Sequence, residues 1–213
     1  MLQIRWHGHS CFEITNDTTI ITDPHDGRSI GISAPSVKGD IILVSHNHFD
    51  HNSGVKVVEK PDAKVVTDDR KRTINDVQIQ GIESYHDSVG GAKRGKNIIF
   101  RFVCDNVTFC HLGDLGHVLD EKTLQQIGKV DILFVPIGGT YTIDADQAWT
   151  VIRQIKPQIA IPMHYRIEGL SIPIAGLDPF LERNNYKILK VGNEMDIEKE
   201  ELPKEPEIWV FTL

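Results

Sequence analysis

At 213 residues, with 40% hydrophobic and 25% charged side chains, the chain has ordinary globular composition and enough length to bury a substantial core as one domain spanning 1–213. A formal charge of −7 argues against a broad nucleic-acid surface, and no apolar run is long enough to cross a bilayer. The three cysteines, Cys11, Cys104 and Cys110, are too few and too irregular for a disulfide framework, and the first residues lack the long apolar core of a signal peptide. A cytoplasmic protein is therefore expected.

Taken in order, Leu2 to Trp6 and Cys11 to Ile14 alternate like a strand pair with Gly8 near the turn, and Thr18 to Thr22 is a β-branched strand stopped at Asp23-Pro24. Residues 26–39 form a Gly, Ser and Pro loop that either frames a site or is plain surface. Ile41 to Val44 reads as a buried strand, Gly54 to Lys60 as a short helix ending at Pro61, Ala63 to Thr67 as a strand, and Asp68 to Asp76 as a polar helical or loop segment. Val77 to Ser84, Asn97 to Cys104 and Asn106 to His111 are further strands, the last two joined by a turn at Asp105-Asn106. The pattern then alternates. A helix is expected over Asp120 to Ile127, a strand over Asp131 to Pro136, a helix capped by Asp144 and Gln147 through Ile155, and a strand over Ile159 to Pro162. A helix is expected to start at Asp178-Pro179 with the aspartate as cap, followed by strands at Lys187 to Val191 and Glu207 to Leu213 with an acidic loop between them.

The chemistry concentrates after the Ile41 strand, in His46-Asn47-His48-Phe49-Asp50-His51. On an extended backbone His46 and His48 share a face and can grip one ion, leaving Asp50 and His51 for another. Imidazole with carboxylate suits zinc, iron or manganese. His86, Asp114 and His164 each follow a strand and are candidate partners, with His111 as a competitor to His86. His7, His25 and His117 read as loop residues. Lys93-Arg94-Gly95-Lys96 reads first as a solvated turn, and otherwise as an arm that binds an anionic substrate.

Together with Gly8-His9-Ser10, Thr22-Asp23-Pro24, Gly113-Asp114, Pro136-Ile137-Gly138-Gly139 and Pro162-Met163-His164-Tyr165, the cluster resembles the metal-binding signature of the metallo-β-lactamase fold over nearly the whole chain. The resemblance is to the small stand-alone branch of zinc-dependent hydrolases that includes L-ascorbate-6-phosphate lactonase. It implies an α/β fold, a four-layer αββα sandwich with the metals at one edge of the sheets. It also implies two divalent ions, zinc first and manganese or iron as alternatives. One would be held by His46, His48, His86 and Asp114, the other by Asp50, His51, His164 and the same bridging Asp114. His9, Asp23 and His111 would act behind these ligands.

The implied reaction uses a hydroxide, activated between two ions about 3.5–4 Å apart, to attack an ester, lactone or phosphoester bond of a small molecule. Asp50 would have a second, catalytic role in accepting or orienting the hydroxide proton. Tyr165 and the backbone at Gly138-Gly139 are further places where substrate contact or plain packing are both open. Di-iron oxygen reductases of this fold commonly carry an acidic residue at the position of His48, so histidine there favours hydrolysis. A nuclease or phosphodiesterase, or a protein that binds metal or ligand without turnover, are the rival readings. No nucleic-acid or membrane partner is expected, and oligomeric state is open.

Overall fold

The structure is a computed structural model that describes residues 1–213. The chain runs through β1 (Leu2–Trp6), β2 (Phe12–Thr15), β3 (Thr19–Thr22), β4 (Gly39–Leu43), the single-turn helices α1 (Phe49–Asn52) and α2 (Val55–Val58), then β5 (Glu59–Val66), β6 (Lys71–Ile74), β7 (Val77–Tyr85), β8 (Lys96–Cys104) and β9 (Val107–His111). It continues through α3 (Glu121–Ile127), β10 (Ile132–Pro136), α4 (Ala145–Ile155), β11 (Ile159–Met163), α5 (Asp178–Leu181), β12 (Lys187–Lys190), β13 (Glu194–Ile197), a 3₁₀ turn at Lys199–Glu201, and β14 (Glu207–Val210). No helix is long and apolar enough to cross a membrane.

The strands form two sheets, ordered β13-β1-β2-β3-β4-β5 and β12-β14-β11-β10-β9-β8-β7-β6. One cluster of 48 buried side chains joins them, with Ile4, Trp6 and Phe12 of the first sheet packed with Phe100, Phe109 and Phe134 of the second. Phe12 and Phe134 meet at 4.4 Å between ring centroids. The outer face of the first sheet, at Ile21, Ile42 and Val44, is covered by Val55 and Val58 of α2. The second sheet is backed by α3 and α4, whose Trp149 and Ile152 join the main core. The result is the αββα layering expected from the family resemblance, with thin helical layers.

The strand that precedes the central histidines, β4, is apolar because it is buried on both faces and paired on both sides, with β3 and β5, in parallel. The capping box at Asp144 and Gln147 forms as expected, each side chain bonding the other residue's backbone N–H.

Four segments differ from the sequence reading. The helix before Pro61 stops at Val58, and Pro61 lies within β5, an edge strand where a residue lacking an N–H leaves no ladder bond unmade. Residues 68–76 contain β6, turned into β7 by Asn75 and Asp76 at φ +47° and +64°, a two-residue hairpin that the polar composition hid. At α5 the cap is Leu177, with Asp178 as the first helical residue, and this one-turn helix is anchored by Phe180, which stacks on Trp149 at 4.7 Å. The fourth is β13, whose Glu-Met-Asp-Ile alternation covers only four residues beside an acidic loop, and which pairs with β1 across the length of the chain.

Gly54, between the histidine cluster and α2, donates its N–H to Pro24 O at 2.9 Å. A Cβ there would stand 2.2 Å from His25 O and 2.8 Å from Pro24 C, both backbone atoms. Gly54→Ala is therefore expected to cost about 1–3 kcal/mol, a fall of roughly 3–10 °C in Tm. Gly176→Ala, where nothing lies within 4 Å, should leave Tm almost unchanged. Thermal unfolding of the two variants checks the difference.

Candidate metal centre

Apart from His111, the last residue of β9, the candidate site residues lie just beyond the carboxyl ends of strands. His9 follows β1, Asp23 follows β3, Ser45 to His51 follow β4, His86 follows β7, Asp114 follows β9 and His164 follows β11. Within each sheet these strands run the same way, because β1 and β3 flank antiparallel β2, β3 and β4 are parallel, β7 and β9 flank antiparallel β8, and β9, β10 and β11 are parallel. The two sheets present these ends at one edge. The chain turns off the sheets sharply there, with His9, Asp23 and His164 at φ +53°, +37° and +52°.

All seven residues expected to ligate metal meet at this edge. His46, His48 and His86 offer ring nitrogens within 4.8 Å of one another, as do His46 and His51 with an Asp114 oxygen, and His51 and His164 with Asp50 and His9. Asp114 stands at the centre. Its Oδ2 lies 3.1 Å from His86 Nε2, 3.2 Å from His164 Nε2 and 3.8 Å from His46 Nε2, and its Oδ1 lies 3.1 Å from His51 Nε2. His46 and His48 do not share a strand face as expected: β4 ends at Leu43, and His48 caps the turn of α1. The rings still approach to 4.5 Å, edge to face.

The hydrogen bonds behind the rings set their tautomers. His51 Nδ1–H donates to Asp23 Oδ2 at 2.8 Å. Ser45 donates both its N–H and its hydroxyl to Asp23 at 2.7 Å, so the Ser45 oxygen accepts from His46 Nδ1–H at 2.9 Å. In both rings the neutral form then carries its lone pair on Nε2, directed at Asp114. His46 Nε2, His51 Nε2, His164 Nε2 and Asp114 Oδ1 are buried and without a hydrogen-bond partner. Lone pairs confronting a carboxylate in a dry site repel unless positive charge lies between them. The donor set therefore fits divalent cations.

Without a metal, protons carry part of that positive charge. Burial opposes protonation of His51, but Asp114, Asp50 and Asp23 outweigh it and hold this imidazole well above its usual range. Burial likewise opposes ionisation of Asp114 and Asp50, yet the surrounding histidines keep both carboxyls far below theirs. Desolvation wins at His9 and His46, each pushed down to about 3.

The supporting residues divide into those foreseen and those missed. His9 Nε2–H donates to Asp50 Oδ2 at 3.1 Å and orients it. His111 is buried, donating to Ser10 O at 3.0 Å and accepting from Gly113 N–H, so it braces the Asp114 loop and does not compete with His86. Tyr165 bonds Phe211 O and stacks on Trp6, away from the site. Gly138 lets the backbone of His164 approach, since a Cβ there would meet His164 O at 2.2 Å. Burial pushes the Cys110 thiol up to about 12, leaving it inert. Asn97 was missed: its Oδ1 accepts from Asp114 N–H while its Nδ2 holds Leu112 O and Ser84, with no short-range motif to announce it. Ser45 adjoins the cluster in sequence, and its role appears only in its contacts with Asp23 and His46.

The basic turn at Lys93-Arg94 is also more than solvated surface. Both residues line a cleft of about 520 Å³ that opens over His48, Asp50, His86 and Asp114. The opposite wall is Ser171, Ile172 and Pro173, on a segment steadied by Ile30 and the 26–39 loop, so that loop supports the cleft from behind.

The fold and this edge define a family. The model of the β-lactamase superfamily domain matches residues 3–164, and the chain belongs to that superfamily. A Thermotoga maritima structure, described as a candidate zinc-dependent hydrolase of the metallo-β-lactamase superfamily, superposes with a TM-score of 0.82 at 35% identity, covering 99% of this chain and 98% of that one. Among curated relatives, a UPF0173 metal-dependent hydrolase of Thermoplasma volcanium is 28% identical over 96% of this chain and 99% of its own length. Its counterpart in Thermoplasma acidophilum is 29% identical over 77% and 83%.

The buried histidines make the metal-free protein sensitive to mild acid. His9, His25, His46, His48 and His111 are all held below the ordinary imidazole value by burial first, so the unfolded chain binds more protons below about pH 6.5 and stability is lost as pH falls. His51 and His86, raised by Asp114, oppose this but are outnumbered. In chelator, Tm should begin to fall near pH 6.5, well before the carboxylates titrate near 4. A Tm that stays flat from pH 7 to 4.5 would contradict the neutral burial of these rings.

Proposed function

We propose that this protein is a metal-dependent hydrolase that uses two divalent ions to cleave an ester, lactone or phosphoester bond of a small molecule, within one domain spanning 1–213. The observation that carries the reading is the convergence of unpartnered ring nitrogens on the unpartnered Asp114 Oδ1 beneath an open cleft. The family membership and the names of full-length relatives support it. His46, His48, His86 and Asp114 would hold one ion, and Asp50, His51, His164 and Asp114 the other. This imidazole-rich set favours zinc, with manganese or iron as alternatives.

Bound there, the ions supply an acidified water at neutral pH and an electrophilic grip on the scissile group. The chain's own residues do the rest. Asp23 and Ser45 keep His46 and His51 in the tautomers that face inward. Asp50, held by His9 on the cleft wall, is anionic throughout the working range. From there the carboxylate is placed to accept or orient a water proton in the cleft.

Purified protein supplied with Zn²⁺ or Mn²⁺ should retain two ions per chain by elemental analysis and turn over members of a lactone, aryl ester and phosphodiester panel. Folded protein that retains no ion, or that retains two and cleaves nothing in the panel, would sink the reading. Asp50→Ala should lower kcat by about 100-fold or more. Asp23→Ala touches no ion in this scheme, yet chelator competition should show metal affinity weakened by roughly 10–100-fold through loss of ring orientation.

A further inference from the structure

We propose that the cleft selects a substrate whose end remote from the scissile bond carries an anionic group, phosphate or carboxylate, bound by Lys93 and Arg94, with its apolar body against Phe49, Ile172 and Pro173. This deepens the hydrolytic reading above and rests on it for the scissile end alone.

The loop that carries the two cations is built. Asp87 accepts four backbone N–H groups, those of Val89 and Gly91 on one oxygen and of Lys93 and Arg94 on the other, at 2.8–2.9 Å. Gly90, Gly91 and Gly95 take φ +66°, +83° and +89°, and Gly95 O accepts from His86 N–H, which ties the loop directly to the centre. Gly116 lets the Asp114 loop press on it, since a Cβ there would meet Asp87 N at 2.3 Å. The carboxylate of Asp87 is thus spent on shaping the loop, and the side chains of Lys93 and Arg94 project into the cleft.

Neither side chain has an ion-pair partner, as is true of several other surface cations, but these two line the cleft with Asp50, His86 and Asp114. Arg94 is instead laid over the ring of Tyr141, 5.3 Å from its centroid, a contact that holds the guanidinium on the cleft wall without neutralising it. Three aspartates, Asp23, Asp50 and Asp114, with one hydroxide would balance two divalent ions, so the uncompensated charge at the cleft is that of Lys93 and Arg94. Two such cations on the wall of a cleft favour entry of an anionic ligand. The apolar part of the ligand follows from Phe49, 57% exposed, which lines the same cleft as Ile172 and Pro173.

The test compares mono-4-nitrophenyl glutarate with 4-nitrophenyl butyrate, esters that differ in a remote carboxylate. The metal-loaded wild type should prefer the anionic ester in kcat/KM. Lys93→Gln and Arg94→Gln should each cut the anionic-to-neutral ratio by about tenfold, while Lys93→Arg and Arg94→Lys retain most of it. A ratio unaltered in the double glutamine variant overturns the proposal. A binding arm independent of turnover uses monomethyl glutarate and butyl phosphate as probes in thermal unfolding. Either should raise the Tm of the wild type and not of the double variant, the larger shift assigning carboxylate or phosphate, and equal shifts in both proteins overturn the assignment. If neither ester is cleaved, the wider panel decides the hydrolytic reading and this second arm alone decides the anion site.

Discussion

The interaction on which the site depends is the buried carboxylate of Asp23. It receives three donors, Ser45 N–H, Ser45 hydroxyl and His51 Nδ1–H, and has no exposure to solvent. A carboxylate in such surroundings stays ionised because its partners outweigh its desolvation, and those same partners are thereby oriented. Two imidazoles from one loop are turned so that their free nitrogens face Asp114. The electrostatic conflict at Asp114 is then a property of the fold, and positive charge, as protons or as metal, is what relieves it.

The sheets make this convergence achievable. Ligands delivered from the ends of parallel-running strands in two packed sheets start within a few ångströms of one another, and short left-handed turns at His9, Asp23 and His164 aim them inward. Such turns cost on the order of 1 kcal/mol each in a residue other than glycine. The core of phenylalanines and isoleucines between the sheets stabilises the arrangement, and the glycines at Gly113 and Gly116 let the Asp114 loop sit against Ser45, Asn97 and the His86 loop without a side chain in the way. The centre is rigid on this side and open on the other, where the cleft wall is made from residues 93–94 and 171–173.

Local sequence carried more of the site than of its setting. The strand before His46 was legible because parallel pairing on both sides demands a continuous apolar run, and the helix after Asp144 because its capping box is a four-residue pattern. Segments whose structure rests on distant partners were not: β13 exists only by pairing with β1, β5 accommodates Pro61 only because it is an edge, and α5 is one turn held by Trp149. The same division runs through the site. His46, His48, Asp50 and His51 announce themselves by spacing, and His86, Asp114 and His164 by their places after strands together with the family resemblance. Asn97, Asp87 and the partnerless state of Lys93 and Arg94 have no local signature, because each is defined by what lies across the fold from it.

By itself, then, the order of residues determined most of the strands and the donor types, since these depend on side-chain chemistry and on periodicities of two and 3.6 residues. Only the tertiary structure decided which nitrogen of each ring faces Asp114, which histidines are braces, and which charges line the cleft. Those outcomes depend on hydrogen bonds and desolvation between groups up to a hundred residues apart, as with His111 and Ser10, and no local pattern encodes a distance.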